Sequence, residues 1–474
     1  MTNSLSSFFA QCDEHPDRVA IIDGAGGSVT FGELARRSLG HAARWQQVGL
    51  AKGQRVLLAV PLGIELYECL AALWHSGAVV VLPEPAMGLR GVYHAVRATG
   101  PDWVLTRGAL QAIGWTLPGL WRVPRLSVGP LTQGAEPPFT PHDTDERDAA
   151  LISFTSGSTG APKAIVRSHR LLAAQNASVQ DLLAAQETPS VDLVCFPVFV
   201  LANLAAGNTS VLPRWNVRRH DRAQPQTIAR QVEDHKIRRL LIPPAICETI
   251  IPFAQELELK AILTGGGPVY PDVVARLQTA SPETNVISVY GSTEAEPIAH
   301  ISTGALLEAD WQDMQSGAGL LAGEICQAAK VRIVDDEILV TGDHVNKGYL
   351  NPEHDASTKQ VFDGEIWHRT GDAGRIDSDG RLWLLGRLEA RSQGLFPFAI
   401  ETAARTWPGV RRAAFLAGNA GPVLAIEGEV GHEAIWQRNA EQLGRLTVRS
   451  ISRIPLDRRH RSKVDYRALN ARLR

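Results

Sequence analysis

One segment constrains the fold of this chain more than any other. Residues Phe154 to Lys163 read Phe-Thr-Ser-Gly-Ser-Thr-Gly-Ala-Pro-Lys, between the apolar runs 149–152 and 164–166. Glycines let backbone N–H groups converge on an anion, the hydroxyls add donors, and Lys163 supplies a positive charge. The spacing is not that of a P-loop, and a strand rather than a helix is predicted after Lys163. A solvated linker is the alternative, but the flanking runs favour a phosphate-binding loop between two strands.

Apolar strand-like runs alternate with amphipathic stretches along much of the chain. Residues 55–60 and 77–82 have the pattern of buried strands, and residues 64–75 that of a helix with one apolar face. This alternation recurs to about Val289 and predicts an α/β fold with parallel sheets wrapped by helices. A charged stretch after Gly386 marks a break in this alternating pattern.

Composition restricts the class of protein. With 474 residues the chain is too long for one core, so two or more domains are expected. A hydrophobic content of 44% and a net charge of −2 are those of an ordinary globular protein, without the positive charge expected of a nucleic-acid binder. We expect small molecules or proteins as partners, not nucleic acid or membrane, and a cytoplasmic location. The five widely spaced cysteines predict buried thiols rather than disulfides or a zinc site.

Further short motifs follow the loop at 154–163 along the chain. In chain order they are Val289–Glu294, Glu337–Gly342, Gly348–Asn351, His368–Asp372, Leu384–Arg387 and Ser462–Val464. Together with the loop at 154–163 they resemble, in the same order, the motifs of the adenylate-forming enzymes, a superfamily of acyl-CoA synthetases, peptide-synthetase adenylation domains and luciferases. This resemblance implies a large N-terminal domain, residues 1–386, and a small mobile α+β domain, residues 387–474, with Glu389 at the hinge.

The resemblance also implies ATP and Mg²⁺ as cofactors and assigns roles to particular residues. Thr155, Ser156, Gly157, Ser158, Thr159, Gly160 and Lys163 would bind phosphates, and Gly265, Gly266, Gly267 and Tyr290 would enclose adenine. Asp372 and Arg387 would hold the ribose, Thr293 the α-phosphate, and Glu294 the metal ion. Lys463 would reach the α-phosphate and the acid during adenylation. Without the resemblance, Glu294 could equally be an exposed loop carboxylate, Asp372 a turn residue and Lys463 part of a basic tail.

The acid pocket should involve Phe196, Phe199 and Asn203. Many acyl-activating relatives carry a histidine soon after the aromatic residue, and amino-acid activators an aspartate, but this run (196–203) contains neither. An apolar lining predicts an uncharged, aliphatic carboxylic acid. These residues could also be plain core.

The segment between Arg387 and Pro397 is shorter than in the family, and in family members the missing piece lines the path of pantetheine.

Three functions follow as hypotheses. The chain would activate a carboxylic acid as its acyl adenylate and pass it to CoA or an acyl carrier protein. Alternatively, as in the β-lactone synthetases that residues 196–207 and 317–320 also resemble, the 3-hydroxyl of the acid would displace AMP, a closure that needs no pantetheine path. A non-catalytic nucleotide-binding regulator is the third.

Overall fold

The computed structural model describes residues 4–83, 88–129, 144–155, 162–184, 189–217, 219, 222–418, 421–457 and 463–473. The chain forms two compact units. The first contains residues 1–214, 293–296 and 342–366, and the second contains residues 215–292, 297–341 and 367–474. Each unit is therefore assembled from separate stretches of the chain.

The first unit contains two sheets and the helices that cover them. Its strands are β1 (Val19–Ile22), β2 (Ser28–Thr30), β3 (Arg55–Ala59), β4 (Val79–Leu82), β5 (Trp103–Thr106), β6 (Arg125–Leu126), β7 (Ala149–Phe154), β8 (Ala164–Ser168), β9 (Val191–Val194), β10 (Thr209–Val211) and β18 (Lys359–Phe362). Its helices are α1 (Ser6–Glu14), α2 (Phe31–Gln47), α3 (Ile64–His75), α4 (Gly88–Thr99), α5 (Ile113–Thr116), α6 (His169–Ala184) and α7 (Pro197–Ala206).

The six-stranded sheet of this unit has the order β6-β5-β3-β4-β7-β8. Strands β3, β4 and β7 run parallel, and Val80 of β4 is in register with Leu151 of β7. Parallel strands are covered on both faces, which explains their continuous apolar runs. The predicted helix at 64–75 is α3, and the strands predicted at 55–60 and 77–82 are β3 and β4, each slightly shorter. The last strand, β8, is antiparallel to β7, so the sheet is mixed.

The second unit carries the remaining strands. These are β11 (Arg239–Ile242), β12 (Ala261–Gly265), β13 (Asn285–Ser292), β14 (Ala295–Ser302, in this unit from Pro297), β15 (Leu320–Ile325), β16 (Lys330–Val334), β17 (Glu337–Thr341), β19 (Glu365–Ile376, in this unit from Trp367), β20 (Leu382–Arg387), β21 (Val410–Gly418), β22 (Gly421–Gly428) and β23 (Thr447–Ser450). Its helices are α8 (Pro225–His235), α9 (Pro244–Ile250), α10 (Pro271–Ala280), α11 (Glu308–Gln315), α12 (Pro397–Ala404), α13 (Glu433–Leu443) and α14 (Tyr466–Leu473).

Within this unit β11, β12 and β13 are parallel, and Gly265 of β12 pairs with Val289 of β13. The strands from β14 to β20 are largely antiparallel.

After β20 the chain builds a separate sheet, in the order β21-β22-β23, with an apolar cluster that includes Ile400, Phe415 and Trp436. The segment 387–474 thus has its own sheet and core, as the resemblance implies, but it belongs to the same compact unit as residues 215–292. Its mobility stays a prediction.

Two further observations concern the cysteines and the length of the helices. All five cysteines lie in described parts of the chain, are buried and form no disulfide. Among the helices in the described ranges, none is long and apolar enough to cross a membrane.

Candidate active site

The ends of the predicted phosphate-binding loop are joined by strand pairing. Phe154 at the end of β7 pairs with Ala164 at the start of β8, and the Thr155 N–H donates to the Lys163 carbonyl oxygen at 3.0 Å. The prediction that this loop joins two strands is therefore confirmed. Ser156, Gly157, Ser158, Thr159 and Gly160 lie outside the described residues. The structure nevertheless fixes both ends of the loop, Thr155 and Lys163.

Lys163 and Glu294 meet at the ring of Tyr349. The Lys163 ammonium lies 5.6 Å from the centre of this ring, and the Tyr349 hydroxyl donates to Glu294 Oε1 at 2.8 Å. Tyr349 is held by backbone contacts, since it forms a β-bridge with Ile165 and the next N–H, of Leu350, donates to the Ala164 carbonyl oxygen. The predicted phosphate-binding lysine and the predicted metal ligand are therefore brought together by a residue to which the sequence assigned no role.

A second lysine approaches the same ring. The Lys359 ammonium lies 5.2 Å from the centre of the Tyr349 ring and donates to the Asn346 carbonyl oxygen. Burial lowers the pKa of Lys359 to about 8, against the opposing effect of Glu294 and Asp355. Such cation–π contacts are attractive because the ring face carries negative charge density. Nothing in the sequence around Lys359 indicated this position.

Arg167, a buried arginine, holds the backbone next to Glu294. Its guanidinium donates to Ser153 Oγ and to the Thr293 carbonyl oxygen, both at 2.6 Å. Burial raises the pKa of the neighbouring Glu296 carboxyl, and the Arg167 charge opposes this rise. The Thr293 side chain itself is exposed. A fixed backbone here sets the direction of both Thr293 and Glu294.

The residues around Glu294 fit a magnesium ion bound together with phosphates. In the parts of the chain that the structure describes, no three His, Cys, Asp or Glu side chains cluster into a metal site. Mg²⁺ does not need such a cage, because it keeps several waters and is bound by one or two carboxylates plus substrate phosphates. Glu294 is a single carboxylate in the same unit as Lys163. The assignment of Glu294 as the metal ligand stays a prediction.

In the second unit the glycine loop and Tyr290 lie at the carboxyl ends of neighbouring parallel strands. A Cβ on Gly265 would lie 2.6 Å from the Val289 carbonyl oxygen, and Gly266 has φ +74°, so both positions favour glycine. Ligands of open α/β sheets bind at this end of the strands. The position of Gly265, Gly266, Gly267 and Tyr290 is therefore suited to a flat ring, as predicted for adenine.

Asp372 is the centre of a hydrogen-bonded group in the second unit. The Tyr290 hydroxyl donates to Asp372 Oδ2 at 2.9 Å, and Arg387 Nε lies 3.3 Å from Asp372 Oδ1. Burial raises the pKa of Asp372, while Arg387, Tyr290 and Lys463 counteract this rise. Three residues predicted to hold the nucleoside, Tyr290, Asp372 and Arg387, thus lie together.

The turn that presents Asp372 is shaped by a buried carboxylate. Glu337 accepts hydrogen bonds from Arg369 Nε at 2.8 Å and from the Gly371 N–H at 3.0 Å. Gly371 adopts φ +70°, and the Asp372 N–H donates to Thr370 Oγ1. The Thr-Gly-Asp sequence is therefore both a turn and a way of aiming the carboxylate. Glu337 belongs to one of the sequence motifs, but the sequence did not suggest this task.

Lys463 lies on a small hairpin in the C-terminal segment. Leu456 and Val464 form a β-bridge, and the Asp457 N–H donates to the Lys463 carbonyl oxygen at 2.9 Å. The positive charge of Lys463 favours a lower pKa of Asp372, against the larger effect of burial. Glu389 is exposed on the 3₁₀ turn Leu388–Ala390 that follows β20, and its hinge role stays a prediction.

The predicted acid-pocket residues lie on and just before α7. The rings of Phe196 and Phe199 are 5.7 Å apart, and Asn203 is fully buried, with its amide donating to Asp192 Oδ2 at 2.8 Å and to Ser210 Oγ at 3.1 Å. These two bonds give Asn203 a structural task, and its contact with an acid stays a prediction.

A cavity of about 60 Å³ lies along other residues of α7. It is lined mostly by apolar side chains of α1, α3, α6 and α7, among them Phe8, Tyr67, Trp74, Leu172 and Leu201. The sequence did not predict this cavity, because it forms only where four helices meet.

Comparison with known proteins decides the family. A family model described as AMP-binding enzyme matches residues 8–350. The chain belongs to the AMP-binding enzymes. An olefin β-lactone synthetase of Xanthomonas campestris pv. campestris is 29% identical over 98% of this chain and 96% of that protein. A second olefin β-lactone synthetase, of Stenotrophomonas maltophilia, is 30% identical over 87% of this chain and 86% of that protein.

Solved structures agree on the fold of this AMP-binding enzyme. An amide bond synthetase of Marinactinospora thermotolerans superposes with a TM-score of 0.81 at 20% identity, over 98% of this chain and 99% of that chain. The predicted fold and the predicted class, an adenylate-forming ligase that acts on a carboxylic acid, are confirmed. AMP-binding enzymes use ATP and typically Mg²⁺. The hypothesis of a non-catalytic regulator is not retained.

Proposed function

We propose that this AMP-binding enzyme closes a 3-hydroxy carboxylic acid to a β-lactone through its acyl adenylate. One observation carries the proposal: the similarity to olefin β-lactone synthetases extends over 98% of the chain. It therefore includes the C-terminal segment that follows Arg387.

The segment between β20 and α12 supports a reaction without an external thiol. After Arg387 the chain makes the 3₁₀ turn Leu388–Ala390 and then a tight turn, in which Ser392 and Leu395 exchange two backbone hydrogen bonds around Gln393 and Gly394. Gln393 and Gly394 have φ +50° and +81°, as in a two-residue hairpin turn. Pro397 begins α12 directly afterwards. This short connection offers little backbone to line a pantetheine path.

The reaction then has two balanced steps. In the first, a carboxylate oxygen of the acid forms a bond to the α-phosphorus of ATP, and the bond to pyrophosphate breaks. In the second, the 3-hydroxyl oxygen attacks the acyl carbon, the bond between this carbon and AMP breaks, and the hydroxyl proton leaves to solvent. The four-membered ring is strained, so the site must hold the hydroxyl in line with the acyl carbon. A well-oriented internal nucleophile can have an effective molarity of about 10⁵ M or more, and added thiol would then not be required.

The described residues divide the first step between them. In the first unit Lys163 would offset phosphate charge; in the second unit Lys463 would offset charge on the α-phosphate and the acid, and Asp372 with Arg387 would orient the ribose. Glu294 would hold a magnesium ion, which neutralises phosphate charge during phosphoryl chemistry. Tyr349 keeps the Glu294 carboxylate directed by its hydrogen bond. Apolar lining near α7 favours an uncharged aliphatic acid.

The test compares a series of 3-hydroxy fatty acids with the unsubstituted acids of the same length, with ATP and Mg²⁺ and without any thiol. We expect AMP release only with the hydroxy acids, and a product lighter than the acid by one water. The unsubstituted acids should release pyrophosphate once and stop at bound adenylate. Repeating the assay with CoA separates the alternatives. If AMP release requires CoA and the product is a thioester, the enzyme is an acyl-CoA ligase and the proposal is wrong.

A further inference from the structure

A single buried carboxylate in the second unit connects two segments that the reaction needs. Glu401 of α12 is fully buried. Its Oε2 accepts a hydrogen bond from the Tyr270 hydroxyl at 2.7 Å, and its Oε1 accepts from the Tyr466 hydroxyl at 2.9 Å and from the Phe415 N–H at 2.8 Å. Three donors thus compensate the loss of water around this carboxylate.

The two tyrosines belong to the segments that carry the predicted adenine loop and the predicted catalytic lysine. Tyr270 comes three residues after Gly267, and Tyr466 three residues after Lys463. The chain between Lys463 and Tyr466 is constrained, because Val464 bridges to Leu456 and the Asp465 N–H donates to the Pro455 carbonyl oxygen. The position of Tyr466 is therefore tied to that of Lys463 through a short, constrained stretch of backbone.

Tyr270 is fixed from its other side by a charged pair. Arg405, one turn after Glu401, lies 4.3 Å from the centre of the Tyr270 ring. The Arg405 guanidinium also makes two hydrogen bonds to Asp272, at 2.7 and 2.8 Å. Bidentate pairs of this type fix direction as well as distance. The glycine loop and α12 are thus joined by an ion pair next to the hydrogen bond of Glu401.

We infer that Glu401 is a positioning residue for adenylation: its carboxylate sets the Lys463 segment against the glycine loop, through Tyr466 and Tyr270. Glu401 does not touch the reacting atoms and acts through the two tyrosines. The inference concerns only the first, adenylate-forming step. It therefore holds whether a hydroxyl or a thiol receives the acyl group, and it can fail independently of the proposed β-lactone product.

The test removes one hydroxyl and measures the two steps separately. Tyr466→Phe keeps the ring but deletes the hydrogen bond to Glu401, and 37% of Tyr466 is exposed, so the variant should fold. We expect pyrophosphate release to slow about tenfold at saturating ATP, since a hydrogen bond to a charged group is lost. The KM for ATP should not change. AMP release from chemically prepared acyl adenylate should proceed at the wild-type rate.

Thr402→Val is the matched control. Thr402 is the next residue of α12 and fully buried, and its hydroxyl has no hydrogen-bond partner among the described residues. This variant also deletes one hydroxyl with little change of shape, and both steps should stay at wild-type rates. Lys463→Ala gives the reference for complete loss of the lysine and should slow the first step by more than Tyr466→Phe.

Three results would overturn the inference, two of them in Tyr466→Phe and one in Tyr270→Phe. Equal slowing of both steps in Tyr466→Phe, with a lower melting temperature, would make the hydrogen bond purely structural. Wild-type pyrophosphate release in Tyr466→Phe would show that Lys463 is positioned by other contacts. Tyr270→Phe provides an independent reading, because it loosens the glycine loop: we expect a raised KM for ATP in this variant, and an unchanged KM would also contradict the linkage.

Discussion

Tyr349 organises the charged residues of the first unit. Its hydroxyl donates to the Glu294 carboxylate, and the ammonium groups of Lys163 and Lys359 lie 5.6 and 5.2 Å from the centre of its ring. One aromatic side chain thus contacts two lysines and a carboxylate.

Glu294→Gln tests the role of the carboxylate. The amide keeps the size of the side chain and can still accept from Tyr349, but it loses the charge that a magnesium ion requires. We expect the Mg²⁺ concentration for half-maximal pyrophosphate release to rise about tenfold or more, as even loss of an outer-sphere partner costs that much. The measurement is a magnesium titration at saturating ATP and acid.

Glu353→Gln serves as the control, because Glu353 is an exposed carboxylate in the same unit. Its magnesium titration should match that of the wild type. An unchanged titration in Glu294→Gln, together with a raised KM for the acid, would move Glu294 from the metal site to the acid pocket.

Single residues were predictable from the sequence only where a motif carried them. Lys163, Glu294, Tyr290 and Asp372 were assigned in this way, and the structure brings them into two groups. Arg167 was not, because its bond to Thr293 joins segments 126 residues apart and leaves no local pattern. Lys359 was not either, because it lies outside the motifs. Motifs indicate which residue types occur and in what order, whereas the contacts of each side chain depend on the folded chain.

At the scale of elements, α7 has two functional faces. One bears Asn203, which bonds to Asp192 and Ser210, and the other borders the cavity shared with α3. The sequence showed an apolar run at 196–203 but not which of its residues would border a cavity. Hydrophobic helices lack the contrast between faces on which such a prediction depends.

Filling the cavity should change the length of acid that the enzyme prefers. Ala71 of α3 lines the cavity, and Ala71→Leu places extra methyl groups inside it. If the hydrocarbon tail of the acid enters here, we expect kcat/KM for the longest accepted acids to fall about tenfold, since each lost methylene contact costs about 0.8 kcal/mol. The assay is pyrophosphate release across acids of increasing length.

Leu201→Ala is the reciprocal variant, because it enlarges the same cavity from α7. It should shift the optimum toward longer acids. If both variants change the melting temperature but leave the length profile as in the wild type, the cavity is only a packing defect.

At the scale of the whole molecule, stability should depend on pH through a buried histidine. His169 begins α6 with 1% of its surface exposed, and its Nδ1 contacts Ser4 Oγ at 3.1 Å. Burial lowers the pKa of His169 to about 4 from 6.5, although Asp148 opposes this effect and Lys52 adds to it. Between pH 4 and pH 6.5, His169 therefore binds a proton in the unfolded chain but not in the folded chain.

The direction of the pH effect on the free energy of unfolding follows from the difference between the pKa of His169 in the folded and the unfolded chain. Above pH 6.5 both states are neutral at this residue and the stability is fully present. It is lost as the pH falls toward 4, by up to about 3 kcal/mol. We expect the urea midpoint of the wild type to fall more between pH 7 and pH 4 than that of His169→Gln. Parallel pH profiles of the two proteins would show that another group controls the loss.

The fold class was predictable from alternating strand and helix patterns, and β3, α3 and β4 lie where expected. The division into compact units was not. Segments 293–296 and 342–366 join the first unit although the chain around them builds the second. Sequence patterns report local periodicity, and neither segment differs in this respect from its neighbours.

This interleaving has a consequence for synthesis on the ribosome. The first unit lacks its Glu294 and Tyr349 until residues 215–366 have been made. At about 5 to 20 residues per second, these residues take roughly 8 to 30 seconds to add. During that interval the nascent chain already contains every strand of the six-stranded sheet, and Lys163 with them, but not yet both Glu294 and Tyr349. A product truncated near Arg214 would therefore be unable to form the candidate metal site.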